Sequence, residues 1–351
     1  MTPKTAVQKG NPFGAHRVLE PKGVLPQPAL RVDNDMDKVY DNEILVAVDT
    51  LNIDSASFTQ IEKEAGHDVE KIKAAILSIV KARGKMQNPV TGSGGMFFGT
   101  VERVGEALKS RALKPGDKIA SLVSLSLTPL RIDEILEVKP DIDQVRIRGK
   151  AVLFESGLYA KLPKDIPEPL ALAVLDVAGA PAQTAKLVRP GDTVVIIGAA
   201  GKSGVLCAYE AKRRAGIAGK VIGMTNLPET VADLKKQGFC DSVLVADATD
   251  ALACYEAARA ETGGRMADVV INCVNVPNTE MASILMCRDE GTVYFFSMAT
   301  SFTKAALGAE GVGRDVNMVI GNGYTRDHAD FTLNILRESK EIRRIYEKLY
   351  V

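Results

Sequence analysis

The chain has 351 residues, 46% of them hydrophobic, enough to build two domains with sizeable cores. Lysine plus arginine equals aspartate plus glutamate at 44 each, so no global field favours a nucleic acid or an anionic membrane surface as partner. Five cysteines, an odd number, read as reduced thiols and not as a disulfide framework.

The first residues, Met1 to Gly10, lack the apolar run of a signal peptide. No later run approaches the roughly eighteen uncharged apolar residues that cross a membrane, so a soluble cytoplasmic protein is expected. Lys9 to Asp35 is rich in proline and glycine and predicts an irregular chain wrapped on a β-domain. His16 and Arg17 lie within it, as structural residues or as members of a site. Glu43 to Leu51 clusters Ile44, Leu45, Val46 and Val48 as a strand. It ends in a polar cluster, Asn52-Ile-Asp-Ser-Ala-Ser57, the kind of place where site residues sit. Between Glu62 and Gln87 the apolar residues Val69, Ile72, Ala75, Ile76, Ile79 and Val80 recur at helical spacing, which predicts one amphipathic helix that covers the β-lobe or acts as a lid. Thr91-Gly-Ser-Gly-Gly95 reads as a flexible loop, Phe97 to Val104 as a strand, and Leu113 to Ile119 as a turn entering another. Short strands continue through Val152, so residues 1–165 form a β-rich domain.

From Pro169 the pattern becomes helix, strand, helix. Ala171 to Leu187 is helical. Pro190-Gly191 turns into the β-branched run Thr193 to Ile197, the composition of a strand buried on both faces. Gly198, Gly201 and Gly204 follow at once, with Lys202 to Ala215 as the next helix. Strands at Lys220 to Met224, Ser242 to Val245, Ala267 to Asn272, Gly291 to Phe296 and Met318 to Ile320 alternate with helices at Pro228 to Gln237 and Asp250 to Thr262. Six such strands describe a doubly wound α/β sheet over residues 166–326, with a dinucleotide at the end of its first strand. The glycines allow a tight turn and a close backbone approach to a pyrophosphate at the next helix N-terminus. Gly198, Ala200, Gly201, Lys202, Ser203 and Gly204 are the expected cofactor contacts, joined by Thr225, Asn226, Asn272 and Ser297 at later strand ends. Residues 327–351 are helical by pattern and are expected to pack back on the β-rich domain.

Asn42-Glu-Ile-Leu-Val-Ala-Val48, Gly99-Thr-Val-Glu-Arg-Val-Gly105, Leu113-Lys-Pro-Gly-Asp117 and Val188 through Gly204 resemble the medium-chain dehydrogenase/reductase superfamily, in its order and near its spacing. The resemblance implies a GroES-like β-lobe joined to a Rossmann domain, NADP or NAD as cofactor, hydride transfer in the cleft between them, and assembly as a homodimer or dimer of dimers. Many members bind zinc through a Cys after the early strand and a Gly-His-Glu motif. Here Asp54 and Gly94-Gly-Met96 stand near those places, and no Cys precedes Cys207, so no zinc is expected. Lys9 to Val18, Glu20 to Pro28 and Leu51 to Phe58 resemble, more narrowly, the L-erythro-3,5-diaminohexanoate dehydrogenase family of anaerobic lysine fermentation. That resemblance implies oxidative deamination of the C3 amine to 5-amino-3-oxohexanoate.

Such a reaction needs a neutral amine, a stabilised iminium and a base for water. Asp54, past a strand end, is the first candidate, with a helix cap at Ser55 as its structural alternative. Glu102 and His16 are further catalytic candidates, and Asn52 and Ser55 are polar candidates for substrate binding. Arg17 suits the substrate carboxylate, with Lys85 and Arg83 behind it. An NAD-specific site usually carries an acid about 20 residues beyond the glycine loop. Met224, Thr225 and Asn226 hold that place, so NADP is expected to be accepted at least as well as NAD. A zinc-independent quinone or enoyl reductase, and a non-catalytic nucleotide-binding protein on the same fold, remain alternatives.

Overall fold

The computed structural model describes residues 9–297, 299–321 and 323–350, so most of the stretch read for a targeting signal, residues 1–8, lies outside the described residues. The chain divides into two compact units, with the break between Leu172 and Ala173.

In the first unit the proline-rich segment carries a two-stranded antiparallel ribbon, β1 (Val18–Glu20) and β2 (Arg31–Val32). The expected strand after Asn42 is β3 (Glu43–Asn52). It is followed by helices α1 (Ser55–Ala65) and α2 (Val69–Arg83), then β4 (Met96–Val104), β5 (Lys118–Ser121), β6 (Leu130–Lys139), β7 (Gln144–Phe154) and β8 (Tyr159–Lys161). These six strands form one antiparallel sheet in the order β6-β7-β3-β4-β5-β8. β3 is central, and its Ile44, Val46, Val48 and Leu51 are buried. The single helix expected over 62–87 is two helices. Gly66 and His67 both take a left-handed backbone at φ 61, and Asp68 then caps α2 through the N–H groups of Glu70 and Lys71. Ile72, Ile76 and Val80 of α2 share the apolar core with Ile44, Val46 and Phe97, so α2 is part of the lobe's wall.

α3 (Glu168–Leu175) spans the break between the units. In the second unit come α4 (Gly179–Leu187), β9 (Thr193–Ile197), α5 (Lys202–Ala215), β10 (Lys220–Thr225), α6 (Val231–Gln237), β11 (Ser242–Val245) and α7 (Ala251–Glu261). They are followed by β12 (Ala267–Asn272), α8 (Glu280–Leu285), β13 (Cys287–Phe295), α9 (Phe302–Gly311) and β14 (Asn317–Ile320). All six strands run parallel in the order β11-β10-β9-β12-β13-β14, the Rossmann order, in which the strand order reverses between β9 and β12 and the crevice lies at their carboxyl ends. Val194 to Ile197 are buried, as a β-branched run covered on both faces must be. The expected fold class, a doubly wound sheet with a separate β-rich lobe, is the fold observed.

The C-terminal segment departs from expectation in two ways. It clusters with the second unit and not with the β-lobe: α10 (His328–Glu338) packs on α4, with the Thr332 hydroxyl donating to Ala178 O at 3.0 Å. It is also broken at Ser339, whose hydroxyl accepts from Ile342 N and starts α11 (Lys340–Tyr350). Among the described residues no helix is long and apolar enough to cross a membrane. All five cysteines are free thiols.

Candidate active site

The glycine loop leaves β9 at Ile197 and enters α5 at Lys202. A Cβ on Gly204 would lie 2.0 Å from Gly198 O, so only glycine lets the first turn of α5 seat against the loop. Gly201 caps α5 without a side chain, which leaves the N–H groups at the helix start facing outward for an anion. Lys202 turns its ammonium to Asp176 Oδ2 at 2.9 Å, and its carbonyl accepts from the Tyr346 hydroxyl at 2.5 Å. The loop is therefore held from α11 as well as from Asp176, between α3 and α4, and the Lys202 charge is already matched by a carboxylate. Ser203 is buried in the same turn, with Ala200 half-buried and Gly201 exposed beside it.

Beside the loop lies a pocket of about 180 Å³ lined by Gly198, Thr225, Asn226, Asp247, Thr249 and Val274, among others. Thr225 and Val245 are partners in the β10–β11 register, so the chain beyond each strand emerges at one place. The Thr225 hydroxyl is occupied, accepting from Leu227 N at 3.1 Å and lying 3.0 Å from the Thr230 hydroxyl. Asn226 is exposed. Asp247, at the end of β11, places a carboxylate in this pocket, where no acid directly follows β10. The backbone N–H and hydroxyl of Thr249 both reach its Oδ1 at 2.8 Å and hold its carboxyl below the usual range. Asp247 follows β11, the strand that neighbours β10 in the sheet. Asn272 and Ser297 are engaged within the protein. The Asn272 amide donates to Thr279 Oγ1 and Ser283 Oγ and accepts from Val274 N, and Ser297 accepts from Ala299 N. Asn272 thus has a positioning place behind Val274 in the pocket wall, since its polar atoms are all committed.

The first unit assembles a second polar cluster, where β3 ends. Asp54 caps α1: its Oδ1 accepts from Ser57 N at 3.0 Å, so the structural alternative is realised. Its Oδ2 is buried and meets no hydrogen-bond partner. The Ser55 hydroxyl donates to Asp143 Oδ2 at 2.6 Å, and Asn52 accepts from Gln144 at 3.4 Å. Asn52 pairs with Met96 across β3 and β4, and a Cβ on Gly95 would lie 2.1 Å from Asn52 O and 2.7 Å from Asp54 N. Asp54 and Gly94-Gly95-Met96, separated in sequence, are therefore side by side. The loop 91–95, expected to be flexible, is tied down: the hydroxyls of Ser57, Thr91 and Ser93 lie 2.6 to 3.0 Å apart, and Asn88 anchors the Val90 and Thr91 N–H groups.

A family model for the L-erythro-3,5-diaminohexanoate dehydrogenase N-terminal domain matches residues 16–163. A curated L-erythro-3,5-diaminohexanoate dehydrogenase of Acetoanaerobium sticklandii is 64% identical over 344 residues, covering 98% of this chain and 100% of the relative. One of the same name from Fusobacterium nucleatum subsp. nucleatum is 61% identical over 346 residues, again covering 98% and 100%. The chain belongs to the L-erythro-3,5-diaminohexanoate dehydrogenase family. Solved structures carry the same fold at greater distance. Quinone oxidoreductase of Escherichia coli, complexed with NADPH, superposes with a TM-score of 0.51 at 17% identity over 88% of this chain and 81% of its own. A quinone oxidoreductase of Pseudomonas syringae gives 0.52 at 18% over 88% and 79%.

In this diaminohexanoate dehydrogenase family member several expected site residues are engaged by partners within the protein. Arg17 is fully buried. Its Nε and Nη2 grip Glu43 Oε1 and Oε2 at 2.7 Å each, while Nη1 donates to the carbonyls of Asp35 and Asp33 and Nη2 also to that of Lys38. No donor is left for a substrate carboxylate. His16 is fixed beside it: Asn11 N donates to Nδ1 at 2.9 Å, which makes Nε2 the protonated nitrogen of the neutral ring, aimed at Glu43 Oε1 at 2.8 Å. Burial pushes the Glu43 carboxyl up, and the hydrogen bonds from Arg17 and His16 outweigh it, holding it below the usual range. Lys85 is also fully buried, with its ammonium on the carbonyls of Pro26 and Gln27 at 2.6 and 3.0 Å, and burial and the nearby Arg83 lower its pKa to about 8. Arg83 donates to Gln87. Glu102 pairs with Lys150 at 2.6 Å on the outer face of the sheet, a cross-strand ion pair with no link to Asp54. The proline-rich segment is thus stapled by Arg17 and Lys85, which is why both stand so deep.

Proposed function

We propose that the protein catalyses the nicotinamide-dependent oxidative deamination of L-erythro-3,5-diaminohexanoate to 5-amino-3-oxohexanoate with release of ammonia, the reaction of anaerobic lysine fermentation. The observation that carries this reading is identity above 60% along the full length of two curated dehydrogenases of that name. The glycine loop is its physical complement. Gly204 packed on Gly198, a helix start without a side-chain cap, and the pocket beyond β10 and β11 suit a dinucleotide. The bound dinucleotide supplies the hydride acceptor. Loop 198–204 binds its pyrophosphate, and the Asp247 carboxylate in the pocket opposes a 2′-phosphate, so NAD is preferred to NADP.

The reaction uses no zinc. Asp54 and Asp143 bring two carboxylates, and their neighbours Asn52, Ser55, Ser57 and Ser93 are an amide and hydroxyls, with no His or Cys beside them among the described residues. Among the described residues no three His, Cys, Asp or Glu side chains are grouped for a metal, and this donor set does not suit tetrahedral zinc. The protein works as a homodimer or dimer of dimers. The observation behind this is β14, which ends the parallel sheet with Ile320 exposed and, among the described residues, no strand paired to its outer edge. Light scattering on the purified protein gives the mass that decides it. A panel of amines, quinones and enoyl thioesters tests the activity: turnover confined to the 3,5-diamino acid is expected, and turnover of a quinone with none of the diamine would favour the reductase reading.

A further inference from the structure

The last two helices of the chain, α10 and α11, touch both ends of α5, the helix that follows the glycine loop. At its far end, Glu338 of α10 accepts from Arg213 Nη1 at 2.5 Å and from the Tyr209 hydroxyl at 3.4 Å. At its start, the Tyr346 hydroxyl of α11 donates to Lys202 O. All of these residues belong to the second unit. Ile342, Ile345 and Tyr346 of α11 are buried, so packing fixes the phenol ring. A buried tyrosine hydroxyl needs a hydrogen-bond partner, and this one takes a peptide group of the glycine-loop turn itself.

That peptide group has a particular place. Lys202 O and the Ser203 N–H belong to one planar unit, with oxygen and hydrogen on opposite sides. A donor held on the oxygen therefore fixes the direction of the N–H, and it polarises the unit so that the N–H donates more strongly. The first i→i−4 bond of α5 runs from Val205 N to Gly201 O at 3.0 Å. The Ser203 N–H stands ahead of it, among the amides that a helix start leaves to a ligand. Gly201 brings no side-chain cap to that place. Helix carbonyls point away from the N-terminus, so Tyr346 reaches the peptide from the side opposite to an anion and leaves the anion's place open. The pocket with Thr225, Asn226 and Asp247 is lined by Gly198, the first glycine of the same loop.

Resting on the dinucleotide site proposed above, we infer that Tyr346 is a positioning residue for the cofactor pyrophosphate: its hydroxyl orients and polarises the Lys202–Ser203 peptide, whose N–H meets the phosphate. Tyr346 touches neither the dinucleotide nor the substrate. Its effect falls on the diphosphate and not on the nucleoside, because the pocket beyond β10 and β11 is built without it. Coupling between two sites is reciprocal, so a bound pyrophosphate strengthens the Tyr346 bond in turn and steadies α11.

The test uses the full-length protein and the variant Tyr346→Phe, which keeps the buried ring and deletes the hydroxyl. Tyr209→Phe, which deletes the other tyrosine hydroxyl between α5 and the C-terminal helices, is the control. Calorimetry gives the affinities for NAD, for ADP, which carries the diphosphate, and for adenosine, which does not. Tyr346→Phe should weaken NAD and ADP by at least about threefold, the scale of one hydrogen bond. Adenosine affinity and kcat at saturating NAD should stay as in wild type, and Tyr209→Phe should match wild type throughout. A loss of less than about threefold for NAD and ADP, or an equal loss for adenosine, overturns the inference. Hydrogen exchange on the wild type tests it without a variant: ADP should slow exchange in α11 and adenosine should not, and exchange in α11 that ADP leaves unchanged overturns it. A wild type that shows the expected pattern with NAD and ADP but oxidises no diamine overturns the reaction and leaves Tyr346 in its role. A wild type that binds neither NAD nor ADP overturns the dinucleotide site and this inference with it.

Discussion

Replacing Arg17 by Met separates a substrate-binding role from a structural one. The methionine keeps the apolar stem and deletes the fork, leaving Glu43 fully buried with only His16 and Tyr40 N as donors. Breaking a buried pair by removing one partner costs about 3–5 kcal/mol. For a domain the size of the first unit, which ends at Leu172, each kcal/mol corresponds to about 2–4 °C. The midpoint of its unfolding, followed by scanning calorimetry, should therefore fall by about 6–20 °C. At temperatures where the variant is folded, its KM for the diamine should stay within about threefold of wild type. Adding Glu43→Met should recover most of the loss, because the unpaired charge is then gone. The sign of the pH effect follows from the depressed Glu43 carboxyl. The stability it contributes is full above the ordinary value near 4.5 and is lost as pH falls through the lower, folded-state value, and the double variant should lack that loss. An unchanged midpoint together with a KM raised tenfold would refute the structural assignment and return Arg17 to the substrate.

Other expectations concern the cofactor, a buried lysine and metal. Asp247→Asn should raise kcat/KM with NADP relative to NAD by about tenfold, the scale of one removed charge near a phosphate, and an unchanged ratio would show that Asp247 does not face the ribose. Lys85, at about 8 against an ordinary 10.5, binds fewer protons folded than unfolded between those values, so stability should rise with pH across that window by about 3 kcal/mol in all. Lys85→Met should abolish the rise in denaturant titrations, and a variant with the wild-type slope would contradict it. Metal analysis should find no stoichiometric zinc and chelators should leave turnover intact, whereas one zinc per chain with chelator-sensitive turnover would sink the donor-set argument.

The parallel sheet was legible because its strands are β-branched runs closed by glycine or polar turns, and β9 with its loop needed no tertiary information. The break at Gly66-His67 was less visible, since the helical spacing from Val69 continues a register that α1 also supports. What decides it is a left-handed pair followed by Asp68 as a cap. The cap at Asp54 was legible because an aspartate past a strand end, just before Ser55, is a good helix N-cap. The partners of Arg17, His16 and Lys85 were not legible for one reason: a charged residue in an irregular segment looks exposed, and only the fold brings Glu43 and the carbonyls of Pro26 and Gln27 to it. Asp247 was missed because the pocket draws on two strands that are neighbours in space, while the sequence was searched along one.

The most direct test is to mix the purified protein with L-erythro-3,5-diaminohexanoate and NAD and to measure reduced nicotinamide and ammonium in the same reaction. One ammonium released for each nicotinamide reduced, with a ketone as the carbon product, is the predicted result. Nicotinamide reduction without ammonium, or no reduction with this diamine under conditions where the protein binds the dinucleotide, would contradict oxidative deamination as its activity.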